Sequence, residues 1–375
     1  MITDPEFAPF SHAMLDPAGR AALRTKLIVS AAQLETAAFL RRHGKEVART
    51  SSSLTEFLSG WCQGDATIEE AMLLPLAIRS VRNGDLDPVW IAALSAAHLH
   101  AIGREGEWHA TFAQHAPVRF GCRQTPPIRD IAVTAWKDRV EVSLDGCAPI
   151  TVGTIESDIP MAPFTRVCVP ILGPNTQRVL PMDNSVAFTH ASFHEVERQL
   201  AEAHAILARG SPEYLKWVED SLSAVVPVES PAENALQSFS LTGFNGVVFV
   251  SFPSPPVKIA EMLVHECSHQ YFHFGLLDTL FSNGMDKSLY WSPYVAKDRP
   301  IDRILIAFHA FANIVLFYRA CLAAGVSELS ETAEREIAFN LQHLGAMSDY
   351  LQRSRGLSPT GRGLFEPLRD ELFRC

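Results

Sequence analysis

The stretch that decides how this chain folds is Pro255-Pro256-Val257-Lys258-Ile259-Ala260-Glu261-Met262-Leu263-Val264-His265-Glu266-Cys267-Ser268-His269. Pro256 suits the first turn of a helix, and Ile259, Met262 and Leu263 supply an apolar stripe at helical spacing. The stretch therefore predicts a helix that carries the last five residues. Directly before it, residues 246–252 form a β-branched and aromatic run, which predicts a strand leading into that helix.

His265 and His269 form the chemical signal of this helix. Histidines four residues apart lie on one helix face, a single turn from each other, so both imidazoles can reach one metal ion. Glu266 stands beside the first histidine as an acid, a base or a support for a ligand. Chance gives only about 0.03 matches to this motif at this composition. The pattern predicts a metal enzyme and leaves hydrolase and oxygenase both open.

The composition limits the classes of partner and compartment. The chain has 375 residues, 20% of them charged, with a net charge of −10 and a pI near 5.8. This acidic balance argues against nucleic-acid binding, which requires a basic face. The seven cysteines are scattered without a Cys-x-x-Cys pair, and the N-terminus lacks a basic start followed by an apolar stretch. We therefore expect a cytoplasmic protein without disulfides or a signal peptide.

The most apolar stretch runs from Ile304 to Phe317 between two arginines. It is too short to span a bilayer, and it contains His309 and Asn313. It predicts a helix buried in the core, and we expect no membrane partner.

The order of predicted elements indicates an α+β fold, mainly helical with a small antiparallel sheet. A zincin-like metal helix, rather than a jelly roll, would carry the site. We divide the chain into a helical N-terminal part at 1–125 and an α+β metal-site part at 126–375, which can pack as one unit. Predicted helices cover much of 17–115 (including 21–48, 68–81 and 87–102), then 191–208, 212–225, 300–324, 328–353 and 364–373. Predicted strands are Ile131–Trp136 and Val140–Leu144 as a hairpin, Val167–Leu172, 236–241 and 246–252.

A catalytic metal site of this kind needs a third protein ligand. The common peptidase extension requires a glycine and a histidine where this chain has Phe272 and Gly275, so that pattern fails. Other zinc peptidases take a glutamate from a later helix. The candidates stand at what looks like a capped, solvated helix start, which favours surface carboxylates; they are Glu328, Glu331, Glu334 and Glu336.

His309 is the better placed candidate, in the middle of the apolar stretch. Burying an imidazole without a partner is costly. A lone core histidine more often bonds a carbonyl than a metal, yet beside an independent metal motif we predict His309 as the third ligand. Asn313, one turn on, shares its face and would contact the site or simply satisfy the histidine.

Weaker ligand candidates surround the motif. His273 continues the stripe after His269 by another turn, as a supporting group or an alternative ligand. Asp278 is a weaker carboxylate alternative. His190 and His194 form another pair four apart without the adjacent glutamate, which we interpret as coincidence at a helix start.

Two arginines open the helix that carries His309. Arg299 precedes Pro300, which suits an early helical position, and Arg303 follows in the first turn. An arginine fork at a helix N-terminus suits a carboxylate ligand. A solvated, charge-paired helix start is the equally weighted alternative.

Four pieces of sequence together carry a family resemblance. They are the motif at 265–269, Trp291-Ser292-Pro293, Arg299-Pro300, and His309-Ala310-Phe311-Ala312. The chain resembles, best over 245–320, the HExxH-motif peptide-modification proteins of ribosomal peptide pathways. That family is understood as Fe(II)/2-oxoglutarate-dependent peptide β-hydroxylases.

The resemblance implies an oxygenase that hydroxylates the β-carbon of a residue in a ribosomally made precursor peptide, using Fe(II), 2-oxoglutarate and O₂. His265, His269 and His309 would hold the iron, and Arg299 or Arg303, with Asn313, would hold 2-oxoglutarate. Glu266 would orient a ligand or water in the catalytic site. Two alternatives stay open: a zinc metallopeptidase with Glu266 as general base, and a non-catalytic, metal-stabilised peptide-binding module.

Overall fold

A computed structural model describes most of the chain. It covers residues 5–68, 70–71, 88–101, 104–116, 119–120, 123–124, 128–136, 139–145, 150–153, 189–222, 224–230, 232, 235–241, 245–277 and 280–374. The predicted strand at Val167–Leu172, most of the predicted helix at 68–81, and Asp278 lie outside these residues.

The described residues form a mainly helical α+β fold, as the sequence predicts. The helices are α1 (Pro17–Thr50), α2 (Ser52–Gln63), α3 (Pro88–Ala101), α4 (Phe193–Gly210), α5 (Pro212–Ser221), α6 (Pro256–Gly275), α7 (Ile301–Ala323), α8 (Ser330–Arg353) and α9 (Pro359–Leu372), with 3₁₀ turns at Pro5–Phe10 and Ser327–Leu329. The strands are β1 (Gly106–Ala116), β2 (Arg119–Phe120), β3 (Arg123–Gln124), β4 (Ile128–Ala135), β5 (Arg139–Leu144), β6 (Ile150–Gly153), β7 (Ala224–Val228), β8 (Ser238–Ser240), β9 (Val247–Ser251), β10 (Tyr290–Ser292) and β11 (Lys297–Arg299).

The first sheet corrects the predicted division at residue 125. Its order is β1-β4-β5-β6, all antiparallel, and the predicted hairpin is confirmed as β4 and β5. Residues 106–116 form β1, although we predicted a mainly helical region up to about residue 115. Trp108, Ala110 and Phe112 are buried there and alternate with exposed neighbours, the period of a half-buried strand. Because β1 pairs with β4, the predicted boundary falls inside one sheet.

The second sheet leads into the motif helix. Its order is β7-β9-β8, with β7 parallel and β8 antiparallel to the central strand β9, so it is mixed rather than antiparallel. We predicted a helix over 212–225, but helix α5 ends at Ser221. The β-branched residues Val225, Val226 and Val228 are buried and form β7 instead. The predicted strands at 236–241 and 246–252 are confirmed in shorter form as β8 and β9.

Helix α7 is the central helix of the C-terminal part. It is long and apolar enough to cross a membrane by composition, but 72% of its most apolar window is buried inside the protein. It packs against α4, α6, α8 and α9. This confirms the prediction of a core helix.

The N-terminal segment lies behind the motif helix. Phe10 is fully buried, and its ring lies 5.3 Å from Tyr271 of α6. Arg20 of α1 is also fully buried; it donates to the Ala13 carbonyl at 2.9 Å and lies 5.0 Å over the Trp217 ring of α5. The predicted N-terminal and metal-site parts therefore share one core around the back of α6.

Candidate metal centre

A cavity of about 380 Å³ opens on the motif face of α6. Helix α6 forms its floor, β8 forms one wall, and α7 with the β10–β11 hairpin forms another. The lining residues are Ser238, Phe239, Ser240, His265, Glu266, His269, His273, Ser292, Tyr294, Val295, Arg299, Arg303, Ile306, Ala307 and Phe311. The cavity thus collects the motif and both predicted arginines.

His265 and His269 lie side by side on the cavity floor. Their ring centroids are 4.5 Å apart and their planes are nearly perpendicular. The edge-on Phe311 ring, 4.8 Å from His265, restricts how that imidazole turns. The helix and the shared histidine face agree with the sequence prediction.

Both imidazoles are held neutral. Burial lowers the pKa of His265 to about 4, with a further contribution from His309, and it lowers the pKa of His269 well below its usual value. Neutral imidazole is the form that binds a metal ion. His269 Nδ1 is buried and has no hydrogen-bond partner among the described residues. These donors therefore fit a metal ion.

Glu266 is buried beside the pair, with 1% of its surface exposed. Its Oε1 accepts a hydrogen bond from Ser238 Oγ at 2.7 Å, while Oε2 has no partner in the described part of the chain. Burial raises the pKa of Glu266 to about 7, and the Ser238 and Ser240 hydroxyls oppose that rise. The carboxyl can therefore hold or release a proton near neutral pH. Sequence reasoning missed these two serines, although they alternate around Phe239 in a predicted strand.

The structure does not bring His309 or Asn313 to the cavity. His309 Nε2 lies 2.7 Å from the Phe10 carbonyl. Asn313 accepts from Tyr214 at 2.7 Å and donates to the Ser11 carbonyl at 3.0 Å. The reason is helix geometry: at about 100° per residue, His309 lies roughly 160–200° from the cavity-lining positions 307 and 311. The predicted third ligand and the predicted 2-oxoglutarate contact are thus corrected to core residues.

Arg299 and Arg303 both line the cavity, and their role in cosubstrate binding stays a prediction. Arg299 ends β11, and its buried Nε has no partner among the described residues. Arg303 lies in the first turn of α7 with 57% of its side chain exposed, and its Nε lies 4.0 Å from a carboxylate oxygen of Asp302. Two guanidinium groups on one cavity wall suit an anion.

His273 also lines the cavity, one further turn along α6. Burial lowers its pKa to about 4, with a smaller contribution from Arg303. Eight residues of helix rise separate it from His265, about 12 Å, so the two do not chelate one ion from the same turn. A supporting position near Arg303 fits this placement better than a shared ligand position.

The remaining candidate ligands lie elsewhere. Glu331 and Glu334 are exposed, and Glu336 pairs with Lys258 at 2.9 Å. His190 is exposed and pairs with Glu229 at 3.0 Å. In the described ranges, no group of three or more His, Cys, Asp or Glu side chains is arranged to hold a metal. Of the candidate metal ligands, the described residues thus bring His265, His269 and His273 to the cavity.

Tyr294 and Phe311 are cavity residues that sequence reasoning did not select. Their rings stack with centroids 3.4 Å apart, and Tyr294 donates to Asn340 Oδ1 at 3.0 Å. The stack joins the hairpin loop to α7 and gives the cavity an apolar wall.

In comparisons with known proteins, no family model and no curated protein matches this chain.

Proposed function

We propose that this protein is an Fe(II)/2-oxoglutarate-dependent oxygenase that hydroxylates the β-carbon of a residue in a ribosomally made peptide. The observation that carries the proposal is one cavity with two neutral histidines on its floor and two arginines on its wall. Imidazole ligands with several open positions suit iron that must also take a cosubstrate. Iron, 2-oxoglutarate and O₂ together supply the oxidising power for hydroxylation of a C–H bond.

His265 and His269 would hold the iron from adjacent turns of α6. Arg299 and Arg303 would bind the carboxylate of 2-oxoglutarate that is distant from its keto acid end. A planar guanidinium can donate two parallel hydrogen bonds to such a carboxylate. Arg299 offers its buried Nε, which has no partner in the described part of the chain, and Arg303 offers a guanidinium whose contact with Asp302 is long, at 4.0 Å.

Glu266 would support the site through its second oxygen. Ser238 fixes Oε1, which leaves Oε2 to orient a water molecule or a ligand. Phe239, Tyr294 and Phe311 would keep bulk water from the reacting C–H bond. The peptide partner, and a cytoplasmic location where such peptides are made, belong to the same proposal.

Anaerobic titration with Fe(II) and 2-oxoglutarate tests the proposal. A visible charge-transfer band should form in the wild-type protein and not in His265→Ala. On admitting O₂, succinate should form with a peptide substrate. A protein that binds Fe(II) but gives neither the band nor succinate contradicts the proposal.

A zinc metallopeptidase is the second candidate, and the state of Glu266 favours it. A carboxyl with a pKa near 7 beside the His265–His269 pair is suited to act as a general base on metal-bound water. The later glutamates that such a peptidase would use as a ligand do not line the cavity. Oxygen-independent peptide cleavage by the zinc-loaded protein, lost in Glu266→Gln, would decide for this candidate.

A further inference from the structure

Strand β8 borders the cavity as the outer strand of its sheet. All three of its residues, 238–240, line the cavity, and they are half-buried where the central strand β9 is fully buried. In the described part of the chain, β8 pairs with β9 alone. Among the described residues, one edge of β8 therefore has no neighbouring strand, and this edge lies beside the motif helix.

The register shows which backbone groups point to that free edge. Just before β8, Ser251 N donates to the Gln237 carbonyl at 3.0 Å and Gln237 N donates to Ser251 Oγ at 3.1 Å, so the backbones of these two residues face each other. Such pairs alternate in an antiparallel ladder, so Phe239 bonds Phe249, and the backbone groups of Ser238 and Ser240 point away from β9.

The other edge of β9 gives the same assignment independently. Ala224 N donates to the Gly246 carbonyl at 3.1 Å, and Phe252 N donates to the Val228 carbonyl at 2.9 Å. Even-numbered residues of this strand thus face β7, which leaves Phe249 and Ser251 to face β8. Two N–H and two C=O groups, those of Ser238 and Ser240, are therefore directed to the free edge.

We propose that the peptide substrate binds as an added β-strand on the free edge of β8. Two donors and two acceptors spaced about 7 Å apart match alternate residues of an extended peptide. The Ser238 side chain donates a hydrogen bond to Glu266 in the motif. A peptide whose backbone pairs with Ser238 would therefore lie beside the His265–His269 pair. This inference rests on the proposed peptide hydroxylation and adds how the substrate is held.

The opposite wall of the cavity, formed by the β10–β11 hairpin, would contact the side chains of the bound peptide. Trp291 and Val295 of the β10–β11 hairpin are 50% and 45% exposed, and Val295 lines the cavity. Backbone pairing on β8 supplies affinity without regard to sequence, while this apolar rim favours apolar neighbours of the modified residue. The substrate class is thus an extended, uncharged or apolar peptide segment.

The test uses acetyl-pentaalanine hydroxamate and the Fe(II)-loaded protein without oxygen. The hydroxamate anchors the probe on the metal, and acetohydroxamate is the reference without a peptide. N-methylation of one peptide nitrogen at a time should weaken binding about three- to tenfold at alternate residues and little between them. Equal effects at every position, or none, overturn the proposal.

Two variants of one residue isolate the backbone N–H. Ser240→Pro removes it, which an edge strand tolerates when the N–H faces outward, while Ser240→Ala loses only the hydroxyl. The proline variant should bind acetyl-pentaalanine hydroxamate and acetohydroxamate with similar affinity, and N-methylation should no longer have an alternating effect on its affinity. The alanine variant should keep the alternating effect. If the proline variant fails to fold, the methylation scan on the wild type still decides.

Amide hydrogen exchange separates this inference from the proposed function. In the free protein, the Ser238 and Ser240 amides should exchange faster than the Phe239 amide, whatever metal is bound. Slow exchange at both serines overturns the free edge. If N-methylation has its alternating effect but no succinate forms, the oxygenase proposal alone is wrong. If neither hydroxamate binds the Fe(II)-loaded protein, the proposed metal centre alone is wrong.

Discussion

Buried histidines lie on opposite sides of the packed helices α6 and α7, with His265 and His269 on the cavity side and His309 on the back side. On the cavity side, His265 and His269 are neutral and line the open cavity. On the back side, His309 is equally neutral, with its pKa lowered to about 4 by burial, but its Nε2 bonds the Phe10 carbonyl. Burial and pKa do not tell the two sets apart. The neighbouring acceptor does, because a carbonyl fixes the imidazole in the core while an open cavity leaves it for a ligand.

Helix α7 separates the two sides. Its Arg303, Ala307 and Phe311 line the cavity, whereas His309 and Asn313 face the N-terminal segment. A comparison of substitutions on the two faces therefore tests both assignments at once.

The largest effect should come from His269→Ala. Losing one of the two proposed protein ligands should lower turnover by more than about 100-fold, because substitution of even the hydrogen-bond partners of metal ligands typically changes metal affinity or activity by about 10- to 100-fold. Metal content after anaerobic loading and succinate formation measure this. His309→Gln is the matched control and should keep its metal. If His309→Gln lost the metal while His269→Ala kept it, the two sides would be assigned the wrong way round.

Asn313→Ala should lower the free energy of unfolding by about 3 kcal/mol, because it leaves buried partners unsatisfied. The partners are the Tyr214 hydroxyl and the Ser11 carbonyl. Tyr214→Phe removes one of these bonds and should cost about 1 kcal/mol. Urea unfolding of the metal-free proteins gives both values. Reduced 2-oxoglutarate affinity in a stable Asn313→Ala protein would instead return this residue to the cavity.

A third buried histidine, His100, extends the comparison to the N-terminal part. Its Nε2 accepts from Trp108 at 2.8 Å and its Nδ1 lies 2.6 Å from the Arg104 carbonyl, so both nitrogens are used by the neutral form. Burial lowers its pKa from 6.5 to about 4, against a smaller opposing effect of the Arg104 carbonyl.

The free energy of unfolding should therefore decrease as the pH is lowered, because of this histidine. The unfolded chain takes up the proton near pH 6.5 and the folded protein only near 4, so the contribution is present above 6.5 and lost on acidification. Between pH 7 and pH 5 the loss should be about 2 kcal/mol. His100→Gln keeps both hydrogen bonds and should lack this part of the pH dependence in urea unfolding. Equal pH dependence in both proteins would show that His100 is not held neutral.

The smallest effects should come from the arginines. Arg299→Met should raise the KM for 2-oxoglutarate about tenfold, because it removes a charged fork from a partly enclosed site. Arg303→Met should raise it only about two- to threefold, since its side chain is 57% exposed and screened. Steady-state kinetics at fixed peptide concentration separates the two. Unchanged KM in both variants would remove the arginines from cosubstrate binding.

Much of the C-terminal framework could be predicted from the sequence. The motif helix, the core helix α7, the strand β9 and the hairpin of β4 and β5 all have strong periodicity or clear turn residues. Strand β1 was missed because its polar residues alternate with small or aromatic ones inside an otherwise helical region. Strand β7 was missed because a run of five buried residues carries no period that separates it from a helix end.

The sequence by itself determined which residues share a helix face: the spacing of His265 and His269, and that of His309 and Asn313. It also placed Arg299 and Arg303 at a helix start. Only the tertiary structure decided what each face meets. The partner of His309 is a carbonyl 299 residues away in the chain. A helical period fixes the angle between two side chains but not the neighbour that packs against them, so ligand and core histidine could be told apart only after folding.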